Sequence, residues 1–134
     1  MKRNLLLVFA LCSLIMQKSA VSQIYFAADA QKKISDASAI AYESGRDLPV
    51  YIKLQQGKEI DFTQWQSWIA GKLKFSAGMG FALVSSQKDQ LGDIHYRYVQ
   101  TFNGAPILGS TVIVHTNNNL VYSCLLYTSP SPRD

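Results

Sequence analysis

Few side chains in this 134-residue sequence have the reach to do chemistry. His95 and His115 are the only histidines, each near the end of a segment that reads as strand, and no third ligand accompanies them. A zincin site needs His-Glu-x-x-His, in which one helix face presents two imidazoles beside a glutamate base, and that string does not occur. Serine is plentiful without a nucleophile-elbow pattern. Gly78-Met79-Gly80 lacks the Gly-Lys-Ser/Thr of a phosphate loop. The expected catalytic, cofactor-binding and metal residues are therefore none. Arg97 is the side chain with clearest recognition chemistry: a guanidinium can clamp a carboxylate bidentately, from Asp93 within the chain or from a partner. Trp65 and Trp68 could stack on a ligand, but their spacing fits packing of a helix onto a sheet.

The elements that must position these residues follow from periodicity. Val50, Ile52 and Leu54 alternate with Tyr51, Lys53 and Gln55, which predicts a half-buried strand after the Leu48-Pro49 break. Phe62, Trp65, Ile69 and Leu73 recur at helical spacing, which predicts a helix over 62–74 with Asp61 as its N-cap and Lys72 and Lys74 in its last turn. From Phe81 onward the pattern is strand after strand: 81–86, 94–102, 107–116 and 120–122. Asn103-Gly104 is a hairpin signal, because a type I′ turn needs positive φ at both central residues, and Asn117-Asn118-Asn119 makes a second turn. Along 94–102, Ile94, Tyr96, Tyr98, Gln100 and Phe102 share one face, expected to meet the helix, while His95, Arg97, Val99 and Thr101 share the other. Residues 23–47 keep no sustained period and are expected to form a leader arm with little regular structure. The expected fold class is α+β, an antiparallel β-meander packed against one amphipathic helix.

Both ends read as something other than fold. Lys2 and Arg3 precede an apolar run from Leu5 to Met16, and small residues Ala20 and Ser22 follow, the order of a secretory signal peptide with cleavage after Ser22. The run is 12 residues, against roughly 20 for a membrane-spanning helix. Cys12 follows Leu11 instead of a small residue, so the product is expected to be secreted free and not lipid-anchored. At the other end, residues 124–134 show no pattern, and the string from Cys124 to Asp134 resembles a translated sequencing-library adapter, which makes the chain an expected N-terminal gene fragment. Residues 23–123 hold seven Lys and two Arg against eight Asp and Glu, a net charge of +1, which argues for no nucleic-acid partner. Cys12 and Cys124 are the only cysteines and both lie outside that stretch, so no disulfide is expected in it.

The segment from Leu91-Gly92 through His95-Tyr96-Arg97-Tyr98-Val99-Gln100-Thr101-Phe102-Asn103-Gly104-Ala105-Pro106-Ile107-Leu108-Gly109 to Val114-His115 resembles the FTP domain, the fungalysin/thermolysin propeptide module. Ile107 stands where the family usually has Val. The resemblance spans about 48–122 and implies the pro-region of a secreted thermolysin-like zinc metalloprotease precursor, a zymogen whose catalytic domain lies outside this fragment. It implies an intramolecular chaperone and temporary inhibitor, with the downstream protease domain as partner, no membrane after signal cleavage, and zinc only in that absent domain. The motif residues expected to contact the partner are His95, Arg97, Gln100, Asn103, Gly104, Pro106 and Gly109. A stand-alone secreted binding or inhibitor module, or an extracellular β-module unrelated to proteolysis, are the alternatives.

Overall fold

A computed structural model describes residues 22–127. The elements in chain order are β1 (Gln23–Phe26), α1 (Ala27–Lys33), β2 (Ala37–Tyr42), β3 (Tyr51–Leu54), β4 (Ile60–Asp61), α2 (Trp65–Lys72), β5 (Met79–Lys88), β6 (Ile94–Phe102), β7 (Ala105–Pro106), β8 (Thr111–Asn117) and β9 (Leu120–Tyr127). The strands form one antiparallel sheet in the order β1-β2-β3-β9-β8-β6-β5, with β4 pairing β9 and β7 pairing β6. The α+β class and the antiparallel meander are as read from the sequence.

Register explains where the core lies. One row crosses five strands: Ile40 opposes Ile52, Ile52 opposes Cys124, Cys124 opposes Val114, and Val114 opposes Tyr96. Because side chains alternate across a sheet, this row shares a face with the row Leu126, Val112 and Tyr98. Both helices cover that face: Ala30 and Ile34 from the α1 region and Trp65 and Ile69 from α2 join the same buried cluster. Each fully buried aliphatic chain here, such as Ile40, Ile52 or Ile69, contributes roughly 1.5–3 kcal/mol. The motif's aromatic face meets α2 as expected, with Tyr98 4.8 Å from Trp65 between ring centroids, and Tyr96 stacks at 4.2 Å on Phe62 in the turn before that helix. Trp65 is core; Trp68 is half-buried, and its indole N–H donates to Asp36 Oδ2 at 3.3 Å.

Four expectations need correction. Residues 23–47 are not an irregular arm: 23–42 supply two strands and a helix, with Tyr25 opposite Ile40 and Ile40 opposite Ile52. The sheet therefore has a second helix beside it. Asp61 does not cap α2, since Ile60–Asp61 pairs with β9 and the Phe62 amide donates to Asn119 O, so the helix starts only at Trp65, with Gln64 before it and no side-chain cap. The Asp61 carboxylate instead accepts from the Thr63 amide at 2.8 Å and from its hydroxyl, closing a local turn. Finally, the last strand does not stop at Tyr122. It runs to Tyr127, burying Cys124 and Leu126, because apolar side chains at those positions meet Val114 and Val112 on a chain already in register.

Candidate functional site

The face opposite the helices carries the motif's polar side chains, and the strand register assembles them. Lys53, Ser123, His115, His95 and Gln87 form one cross-strand row; Tyr51, Leu125, Ile113, Arg97 and Ser85 form the next. Where β5, β6 and β8 run side by side, Ser85, Gln87, His95, Arg97, Ile113 and His115 line an open cleft of about 360 Å³.

The two histidines face each other. His95 Nδ1 lies 2.6 Å from His115 Nδ1, and the rings meet edge to face at 4.8 Å. A nitrogen-to-nitrogen contact of this length needs one donor and one acceptor, so the pair shares a single proton between its Nδ1 atoms. The other nitrogen of His95 lies 2.9 Å from Asp89 Oδ2. Asp89 is held in place by the amides of Leu91 and Asp93, which donate to its Oδ1 at 2.8 and 3.0 Å, and its carboxyl is pulled below the usual range chiefly by the bond to His95. At His115, burial first and then the neighbouring His95 push the pKa down, partly opposed by Asp93. Tyr122 stacks beside it with centroids 6.1 Å apart. The Tyr122 hydroxyl donates to Asp93 Oδ2 at 2.9 Å, and burial together with that carboxylate raises its pKa to about 12.

Arg97 differs from its neighbours. Of the two carboxylate sources open to it from the sequence, Asp93 is committed elsewhere, accepting from Tyr122 and from the Asn117 side-chain amide. Among the described residues Arg97 has no ion-pair partner.

The other motif residues sit at the far end of β6. Asn103 and Gly104 have φ of 49° and 83°, and Phe102 opposes Ala105 across them, the two-residue hairpin expected from Asn-Gly. The Asn103 amide donates to Gly78 O at 2.8 Å, and a Cβ on Gly78 would collide with the Asn103 side chain, so the turn is locked to the start of β5. Pro106 ends the short β7, and residues 107–110 then leave the ladder. Ser110 pins this loop, its hydroxyl donating to Ile107 O at 2.8 Å and accepting from the Gln100 amide at 3.0 Å. Leu108, beside Gly109 at the loop's tip, is 99% exposed. Gln100 itself points into the helix-covered face, fully buried, and neither atom of its side-chain amide has a hydrogen-bond partner among the described residues. The structure thus separates the sequence-predicted residues into a cleft group, His95 and Arg97, and a turn group, Asn103, Gly104, Pro106 and Gly109, with Gln100 buried between them. Asp89 and Ser110 were missed, and Asp93, read from the sequence as a partner for Arg97, pairs with Tyr122 and Asn117 instead; an Asp in a short polar link is too common a pattern to mark Asp89.

Residues 80–123 match the family model of the Fungalysin/Thermolysin Propeptide Motif. The propeptide motif therefore occupies β5 through the first half of β9 and contains every residue of both groups, while the first four strands and both helices lie outside it. The match is narrower than the span 48–122 read from the sequence. No curated protein and no solved structure matches the chain. Among the described residues, no group of three or more His, Cys, Asp or Glu side chains could hold a metal ion, and no helix is long and apolar enough to cross a membrane.

Proposed function

We propose that this chain is the N-terminal pro-region of a secreted zinc metalloprotease precursor, serving as intramolecular chaperone and temporary inhibitor of a catalytic domain that follows it. The propeptide motif over 80–123 carries this reading. In it the chain performs no hydrolysis itself, and zinc belongs to the domain it precedes. Residues 1–22 lie outside the described residues except for Ser22, and their signal-peptide pattern supports export.

Two exposed features suit a docking module. The helices occupy one face of the sheet, which leaves the Arg97 face open, and the loop following the Asn103–Gly104 turn holds Leu108 out in water. Covalent linkage supplies an effective concentration on the order of millimolar, so modest contacts suffice while the chain is intact and lose effect once it is cut. The benefit would be kinetic: secreted proteases persist behind a high unfolding barrier, and a bound template lowers the same barrier for folding. The test is to express the complete precursor with and without residues 23–123 and measure active protease in the medium. Loss of activity without the segment is expected; equal yields would refute the chaperone role.

A further inference from the structure

We propose that the β5–β6–β8 cleft is a carboxylate-binding site, in which Arg97 takes an acidic side chain of the partner domain and the His95–His115 pair strengthens the grip as it takes up a proton.

Arg97, Ser85 and Gln87 present N–H or O–H groups, the His95 and His115 rings form one side, Ile113 supplies an apolar floor, and no acidic side chain lines the cleft. Arg97 brings a fixed positive charge with no ion-pair partner among the described residues, and a guanidinium's fork matches a carboxylate bidentately. The acids nearby are already engaged: Asp89 with His95 and two backbone amides, Asp93 with Asn117 and Tyr122. An entering carboxylate meets donors on β5 and β6 and no competing carboxylate at the lining.

The histidine pair adds a proton dependence. While it shares one Nδ1 proton, each Nδ1 satisfies the other at 2.6 Å. Because His95 Nε2 donates to Asp89, its Nδ1 accepts from His115, and the nitrogen left open for a further proton is His115 Nε2. Protonation there leaves the Nδ1 contact intact and adds a charged N–H to the cleft lining, which a carboxylate can accept. The charged and titratable groups around the pair are Asp89 and Asp93 from the β5–β6 link, Arg97 on β6, and Tyr51 and Tyr122 from β3 and β9. With His115 neutral, Arg97 is outnumbered by the two aspartates; with His115 protonated, the charges balance. By linkage the carboxylate binds more tightly as pH falls through the histidine range, until the ligand itself protonates near pH 4.

The proposal rests on the pro-region reading for who supplies the carboxylate, not for the site. The probe is N-acetyl-aspartate N-methylamide, titrated into the full chain with His ring and Arg97 side-chain NMR signals observed, and the neutral asparagine analogue is the control. Expected are binding of the aspartate probe only, an affinity about fivefold to tenfold higher at pH 5.5 than at pH 7.5, on the scale of one extra exposed charge pair, and shifts at Arg97 and both imidazoles. Arg97→Gln should abolish binding at both pH values, Arg97→Lys should retain part of it, and His115→Gln should bind at pH 7.5 but lose the gain at pH 5.5. Equal binding of the neutral analogue, a pH-independent affinity, or unchanged binding in Arg97→Gln would overturn the site. Backbone amide spectra of each variant show whether it is folded, and the Lys variant keeps the test decisive if the Gln variant is not. A negative result here would leave the precursor experiment untouched. Equal protease yields there would leave binding at the cleft intact but remove its proposed partner.

Discussion

His95 and His115 oppose each other across the β6–β8 ladder with their Nδ1 atoms 2.6 Å apart. This contact and its burial both favour a neutral His115, whose pKa is depressed in the folded chain. The unfolded chain therefore binds a proton near pH 6.5 that the folded chain refuses, and stability present above that pH is lost as pH falls through the folded value. Urea unfolding should show a lower midpoint at pH 5 than at pH 7.5. His115→Gln should flatten the difference, because the lowered carboxyls of Asp36, Asp61 and Asp89 release their contributions only at and below the ordinary carboxylate range. A midpoint as high at pH 5 as at pH 7.5 would contradict the pairing.

Gly104→Val isolates backbone strain at the hairpin. A Cβ at Gly104 would meet nothing within 4 Å, so space is not at issue, but its φ of 83° is a conformation that a β-branched residue avoids. A loss of about 1–3 kcal/mol is expected from thermal or denaturant unfolding. Gly71→Ala is the matching control: it lies in α2, has no positive φ and also has open space around it, so it should gain about 0.5–1 kcal/mol. If both variants unfold at the wild-type midpoint, the turn does not constrain the fold.

The chain alone should show neither peptidase activity nor stoichiometric zinc. Its only imidazoles are spent on each other and on Asp89, and two of them fall short of the three protein ligands of a catalytic zinc site. Casein hydrolysis at buffer level and less than one zinc per ten chains after dialysis against zinc are the expected readings; stoichiometric metal would show that the pair recruits a third ligand.

What was legible in the sequence was whatever repeats with a clean period. Strands β5, β6, β8 and the start of β9 alternate visibly, and Asn103-Gly104 and Asn118-Asn119, with φ of 48° and 62° at the second pair, announced their turns. Strand β2 was hidden because much of what it buries is alanine, at 37, 39 and 41, and such side chains leave little hydrophobic signal. The histidine pair was hidden for a different reason. Continued without interruption, the hairpin register that sets Phe102 against Ala105 would put His95 opposite Val112. The chain instead leaves the ladder over 107–110 and returns three residues further on, which brings His115 into that place. Neither propensity nor period encodes such an excursion. Arg97's freedom was likewise undecidable until Tyr122, distant in sequence, was seen to claim Asp93.

Gln100 provides the sharpest test of packing against polarity. It is fully buried on the helix-covered face, its backbone is satisfied by Ser110 and Ile107, and both atoms of its side-chain amide lack partners among the described residues. A buried polar group without a partner costs about 1–3 kcal/mol, whereas an apolar chain of similar shape removes that cost and keeps the volume filled. Gln100→Met should therefore raise stability by about 1 kcal/mol, an uncommon direction for a fully buried site. Gln100→Ala should do the opposite, lowering stability by about 2 kcal/mol, since it relieves the amide but opens a cavity under α2. Denaturant midpoints of the two variants, at pH 7.5 where His115 is neutral, separate the two terms. A lower midpoint for Gln100→Met would mean that the amide is bonded after all, through an ordered water in the core.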